Sequence, residues 1–115
     1  MDAYNANPSS MDASLRNFLQ TDFDNKFAII GDMLELGDEA EKEHRKIIEL
    51  LENSNLKKVL LVGKLFSELN ISNKFTVFPD VNEAAEWIIK ENINGYNILI
   101  KGSRGIKLEK LLEIL

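Results

Sequence analysis

The stretch Lys26-Phe27-Ala28-Ile29-Ile30-Gly31-Asp32-Met33-Leu34-Glu35-Leu36-Gly37 joins two kinds of structure end to end. Phe27 to Ile30 is an unbroken apolar run, the pattern of a strand buried on both faces, where neither side of the backbone meets water. Gly31 stops the run, and an acidic segment bounded by Gly31 and Gly37 follows, which reads as a loop. The run-then-glycine pattern recurs at Lys58-Val59-Leu60-Leu61-Val62-Gly63 and Asn97-Ile98-Leu99-Ile100-Lys101-Gly102, and a shorter run, Phe75-Thr76-Val77-Phe78, ends at Pro79. Between these runs apolar residues return at helical spacing, over about Ser9 to Leu19, Glu39 to Leu51, Leu65 to Leu69, Asn82 to Ile93 and Lys107 to Leu115. Strands alternating with helices make parallel βαβ units, so the expected fold is a three-layer, Rossmann-like α/β domain with a mostly parallel sheet.

Local signals place the helix starts. Asp38 with Glu41 reads as a capping box, Asp80 reads as the cap of the helix that follows it, and Ser9 or Ser10 as the cap of the first helix, because Pro8 biases Asn7 away from helical backbone. On the second helix Ala40, His44, Ile47, Ile48 and Leu51 share one face, while Glu39, Lys42, Glu43 and Lys46 fall largely on the other.

Composition narrows the possible functions. At 115 residues the chain is one domain, residues 1–115, with an ordinary globular balance of 44% hydrophobic and 29% charged residues. A net charge of −5 leaves no basic excess to exchange for the counterions of nucleic acid. No apolar run approaches the ~20 residues that span a bilayer, so no membrane contact is expected. There is no Cys, which removes disulfides and thiolate chemistry and fits a reducing compartment, and a single His makes a metal site unexpected.

Ligands of open parallel sheets bind beyond the carboxyl ends of the strands, where Gly31-Asp32, Gly63-Lys64 and Gly102-Ser103-Arg104 all fall. Lys101, Ser103 and Arg104 form a candidate anion site, since a glycine-flanked turn exposes backbone N–H groups and Arg104 can fork onto a carboxylate. The plainer alternative is a turn that only leads a strand into a helix, with its charges solvated. Asp32 and Glu35 can offer two carboxylates to an ammonium group or a metal-bound nucleotide, or can simply close the loop. His44, on the apolar face of its helix, is either a packing residue or a lining residue of the site. Asp2, Asn5 and Asn7 supply acceptors and amides before Pro8, with Tyr4 beside them.

Three blocks in order, Asp2-Ala3-Tyr4-Asn5-Ala6-Asn7-Pro8, then Gly31-Asp32-Met33-Leu34-Glu35-Leu36-Gly37 with His44 downstream, then Lys101-Gly102-Ser103-Arg104, resemble the C-terminal domain of a Mur ligase over nearly the whole chain. The member implied is the bacterial, cytoplasmic ligase that uses ATP and Mg2+ to join D-Ala-D-Ala to UDP-N-acetylmuramoyl-tripeptide in peptidoglycan synthesis. The resemblance implies a dipeptide pocket drawn from Asp32, Glu35, His44, Lys101, Ser103 and Arg104. It also implies nucleotide contacts from Asp2, Tyr4, Asn5 and Asn7 in a hinge, residues 1–8, that leads from a central domain. Because no Gly-x-x-x-x-Gly-Lys-Ser/Thr loop occurs, the chain is expected to be silent alone, with no catalytic residue of its own and no cofactor bound; it is also expected to be a monomer. The rival reading is a stand-alone α/β binding or phospho-receiver-like module with Asp32 at a strand end. It lacks the acidic pair that a receiver carries after its first strand.

Overall fold

The computed structural model describes residues 6–56, 58–69, 71 and 73–115. Four strands, β1 (Lys26–Gly31), β2 (Lys58–Val62), β3 (Thr76–Phe78) and β4 (Asn97–Lys101), form one sheet in the order β3-β2-β1-β4, every pairing parallel. The helices are α1 (Pro8–Gln20), α2 (Ala40–Glu52), α3 (Lys64–Ser67) and α4 (Val81–Glu91). This is the α/β, Rossmann-like architecture expected from the alternating patterns.

Two apolar clusters, one on each face of the sheet, explain why the strand runs are continuous. Ala28, Ile30, Val59 and Leu61 point into the first, with Met11 and Leu15 of α1, Ile47, Ile48 and Leu51 of α2 and Phe66 of α3. Phe27, Ile29, Leu60 and Val62 point into the second, with Ala84 and Ile88 of α4 and Leu108 and Leu111 beyond β4. Each of these β1 and β2 residues therefore loses its apolar surface to one layer or the other, worth about 1.5–3 kcal/mol for a large aliphatic side chain.

Several local expectations are corrected. Asn7, not Ser9 or Ser10, caps α1: its side chain accepts the Ser10 N–H at 2.9 Å and the Ser10 hydroxyl accepts the Asn7 N–H at 3.1 Å, with Pro8 as the first helical residue. Asp38 and Glu41 form no capping box, because Gly37 turns left-handed (φ 58°) into a 3-10 turn over Gly37–Glu39 before α2 begins. Asp80 does cap α4, accepting the Glu83 N–H at 2.9 Å. The terminal helix expected over Lys107 to Leu115 is a 3-10 segment, Leu108–Glu113, entered through Lys107 at φ 62°.

The strand order sets the location of any site. From β1 the chain crosses to β2 and on to β3, and then α4 carries it back to β4 on the other side of β1. The crevice beyond the carboxyl ends of β1 and β4 is thus the switch point where open parallel sheets take ligands.

Candidate functional site

Hydrogen bonds continue past the strands and tie their ends together. Asp32 N–H donates to Val62 O at 2.9 Å, Gly63 N–H to Phe78 O at 2.8 Å and Ser103 N–H to Asp32 O at 3.0 Å. At this end β1 and β4 touch backbone to backbone: a Cβ on Gly102 would lie 2.8 Å from the Gly31 Cα, so glycine is required there by space.

Asp32 is 2% exposed. Its carboxylate accepts the Leu65 N–H at 2.8 Å and the Phe66 N–H at 3.1 Å and so seats the start of α3. Gly63 makes this possible: its φ of 133° suits glycine alone, and a Cβ at that position would overlap the Asp32 carboxylate, so no other residue fits. Burial raises the Asp32 pKa, and the two N–H donors offset only part of that rise. Such a carboxylate is no phosphoryl acceptor, because both oxygens already face backbone donors.

His44 is fully buried, its ring edge against Phe66 at 4.7 Å between centroids. Met33 N–H can only donate and lies 3.0 Å from Nε2, while the Ala40 carbonyl can only accept and lies 2.6 Å from Nδ1. The ring is therefore the neutral tautomer with its proton on Nδ1. Asp32 Oδ1 at 4.0 Å from Nε2 makes no hydrogen bond to it. Ser103, 6% exposed, accepts the Leu34 N–H on its hydroxyl at 2.8 Å and donates that hydroxyl to the Ala6 carbonyl at 3.4 Å.

The turn after β4 does not gather its polar residues into one basket. Lys101 alternates onto the face shared by Leu99, toward α1, and is 7% exposed. Ser103 is buried in the bonds just described, and Arg104 is exposed. Glu35 is exposed and left-handed at φ 64°. Asn7 retains its carboxamide NH2 outside its cap bonds, whereas the proposed nucleotide residues Asp2, Tyr4 and Asn5 lie outside the described residues.

A cleft of about 510 Å³ opens at this pole, lined by Asp32, Leu34, Lys64, Leu65, the start of α4 from Asp80 to Asn82, and Gly105 to Lys107 with Lys110. Its two acids are already engaged by backbone donors, Asp32 with α3 and Asp80 with α4. Among the described residues its three lysines are not engaged. Elsewhere Arg16, Lys42, Arg45 and Lys46 pair with acids one turn away, Lys26 lies on the Leu19 carbonyl, and Lys58 lies over the Trp87 and Tyr96 rings. Lys64, Lys107 and Lys110 have no such partner among the described residues, as is also true of Lys101 on the α1 side of the sheet and Lys90 on α4. A chain of net charge −5 thus keeps a concave, positively charged end. Lys107 and Lys110 carry no motif and were not anticipated, since only the fold brings them beside Lys64. The larger cleft, about 630 Å³ at the opposite pole around Phe23 and Asn53 to Leu56, has its one lysine, Lys26, already engaged. Among the described residues no three His or acidic side chains converge to hold a metal ion, and no helix is long and apolar enough to cross a membrane.

Known proteins resemble this arrangement throughout. The family described as "Mur ligase, glutamate ligase domain" matches residues 1–104. The UDP-N-acetylmuramoyl-tripeptide–D-alanyl-D-alanine ligase of Rickettsia prowazekii is 41% identical across 97% of the chain and 26% of its own length. A crystal structure of MurF from Acinetobacter baumannii superposes with a TM-score of 0.83 at 33% identity, covering 99% of this chain and 26% of that one. MurF from Thermotoga maritima, solved in complex with ADP, gives a TM-score of 0.75 at 29% identity over 98% of this chain and 26% of its own. The chain spans about a quarter of the length of these relatives.

Proposed function

The chain belongs to the Mur ligase family, as its glutamate ligase domain, and from that membership we propose that it is the C-terminal quarter of a bacterial ligase joining D-alanyl-D-alanine to UDP-N-acetylmuramoyl-tripeptide. In that reaction the tripeptide's terminal carboxylate takes the γ-phosphoryl group of ATP and releases ADP. The dipeptide amine then attacks the acyl carbon and loses a proton, and the C–O bond breaks to release phosphate. Catalysis of this kind rests on positioning and on charge stabilisation.

One observation carries the assignment of this domain's share: the unpaired lysines around a cleft whose acids are already engaged. A dipeptide carries its carboxylate at one end and its amine at the other. The carboxylate is received by Lys64, Lys107 and Lys110 with Arg104 at the rim, and the amine is drawn toward Glu35. Asp32, His44 and Ser103 shape the loop between them, and Lys101 awaits an anion on the hinge side. Asp2, Tyr4, Asn5 and Asn7 meet the ribose and base of the nucleotide, the acid suiting hydroxyls and the amides suiting base edges. Mg2+ and the triphosphate are held by the rest of the ligase, because this sequence has no loop to cradle them. The enzyme works as a cytoplasmic monomer.

The test is product formation by a full-length ligase that carries this chain. Phosphate release should require ATP, tripeptide and D-Ala-D-Ala together, mass spectrometry should find the pentapeptide product, and the isolated chain should release no phosphate. Phosphate release from the isolated chain at the full-length rate, or indifference to the dipeptide, would overturn the assignment.

A further inference from the structure

Beyond β1 the backbone runs through Asp32, Met33 and Leu34 to Glu35, and none of these first three residues is left to find its own position. Ser103 grips the segment at two points: its N–H donates to the Asp32 carbonyl at 3.0 Å and its hydroxyl accepts the Leu34 N–H at 2.8 Å. From the other side His44 Nε2 accepts the Met33 N–H at 3.0 Å. Leu34 is 38% exposed, and its N–H is bonded to a side chain that is 6% exposed. Immediately after these three fixed residues, Glu35 sits left-handed at φ 64°, a backbone conformation that costs a non-glycine residue about 1 kcal/mol and that Asn or Gly adopts more easily. The fold therefore accepts strain at Glu35, the exposed acidic residue that directly follows the held segment and its cleft-lining Leu34.

We propose that His44 and Ser103 are positioning residues for dipeptide use: by holding the amides of Met33 and Leu34 from opposite sides they fix the direction in which Glu35 presents its carboxylate to the dipeptide's amino end. This rests on the dipeptide reading above and adds to it the means by which a buried histidine and a buried serine act without touching substrate. Neither residue transfers a proton. His44 is useful as a neutral acceptor at the Nε2 position, and the Ser103 hydroxyl, donating to the Ala6 carbonyl at 3.4 Å, ties the same segment to the hinge.

The experiment uses a full-length ligase carrying this chain and varies D-Ala-D-Ala, ATP and tripeptide separately. His44→Leu, which removes the acceptor, should raise the dipeptide KM about tenfold while the KM for ATP moves by less than about twofold. His44→Gln, whose side-chain oxygen reaches about as far as Nε2, should recover most of the loss. Ser103→Ala and Ser103→Thr form a second pair with the same expected loss and rescue, and they decide the matter if His44→Leu fails to fold. Glu35→Gly should melt higher than wild type yet show the same dipeptide defect as His44→Leu, and combining the two should add little, because both act on one contact. If the His44 and Ser103 variants fold but leave the dipeptide KM unchanged, or if Gln and Thr rescue nothing, the positioning role is wrong. If in that case Lys107→Ala still weakens dipeptide use, the site assignment survives without it. If neither class of variant changes dipeptide dependence, the site assignment fails as well.

Discussion

Asp32 is held almost wholly out of water by a residue that had to be glycine and by a helix start that lies more than thirty residues along the chain. Its position at a strand's carboxyl end was readable from Gly31, but its partners, Leu65 and Phe66, were not, because no local pattern reports a bond between residues so far apart. The same holds for His44: the apolar helix face announced its burial, whereas its hold on Met33 required the fold. Burial raises the Asp32 pKa from its ordinary value of 3.8. A carboxyl that keeps its proton in the folded state after the unfolded chain has lost it favours folding at low pH, and that advantage disappears as pH rises from 3.8 through the raised value. Urea midpoints of the wild type should therefore fall relative to those of Asp32→Asn as pH increases across that window. Asp32→Asn should also be the less stable protein at neutral pH, by about 1–3 kcal/mol, since the amide oxygen can accept only one of the two backbone donors and the NH2 is left facing the other. A wild type that gains on the variant as pH rises would contradict the assigned direction.

Elements were legible where one physical cause dominated them. The β1, β2 and β4 runs needed only two buried faces to be recognised, and α2 and α4 only a one-sided stripe. Ends were harder to read. Pro8 fixed the first turn of α1 and passed the cap to Asn7, and left-handed residues at Gly37 and Lys107 replaced an expected cap and an expected helix by 3-10 turns. Past the 3-10 turn after β4, Lys107 and Lys110 line the cleft, while Arg104 is exposed and outside its lining. The junction of β1 and β4 that supports this turn is close-packed at Gly31 and Gly102. Gly102→Ala should force the two strand ends apart and cost about 1–3 kcal/mol. In a full-length ligase it should also impair dipeptide use, because Ser103 and the Leu34 amide it holds move with the strand end. Equal denaturant midpoints for the two proteins would show that the junction yields without cost.

At the scale of the whole molecule, charge separates two poles. The surfaces of α1 and α2 carry ions in pairs, the amino-terminal pole commits its lysine to a carbonyl, and the carboxyl pole retains lysines without partners among the described residues, beside a buried aspartate. Sequence motifs identified the family and this pole, but they pointed to Lys101, Ser103 and Arg104 as a single anion basket, and the fold divides those residues between the hinge side, the interior and the exposed surface. The central claim is that the cleft of Lys64, Lys107 and Lys110 receives the dipeptide's carboxylate while the nucleotide is held elsewhere. The direct measurement is steady-state kinetics of a full-length ligase in which all three are changed to Ala, with D-Ala-D-Ala and ATP varied in turn. Loss of charge-assisted contacts worth about 1.5–3 kcal/mol predicts a dipeptide KM raised about ten- to a hundredfold, with the KM for ATP within about twofold of wild type. A folded triple variant with unchanged dipeptide dependence, or one that loses ATP and dipeptide affinity in equal measure, would contradict the claim.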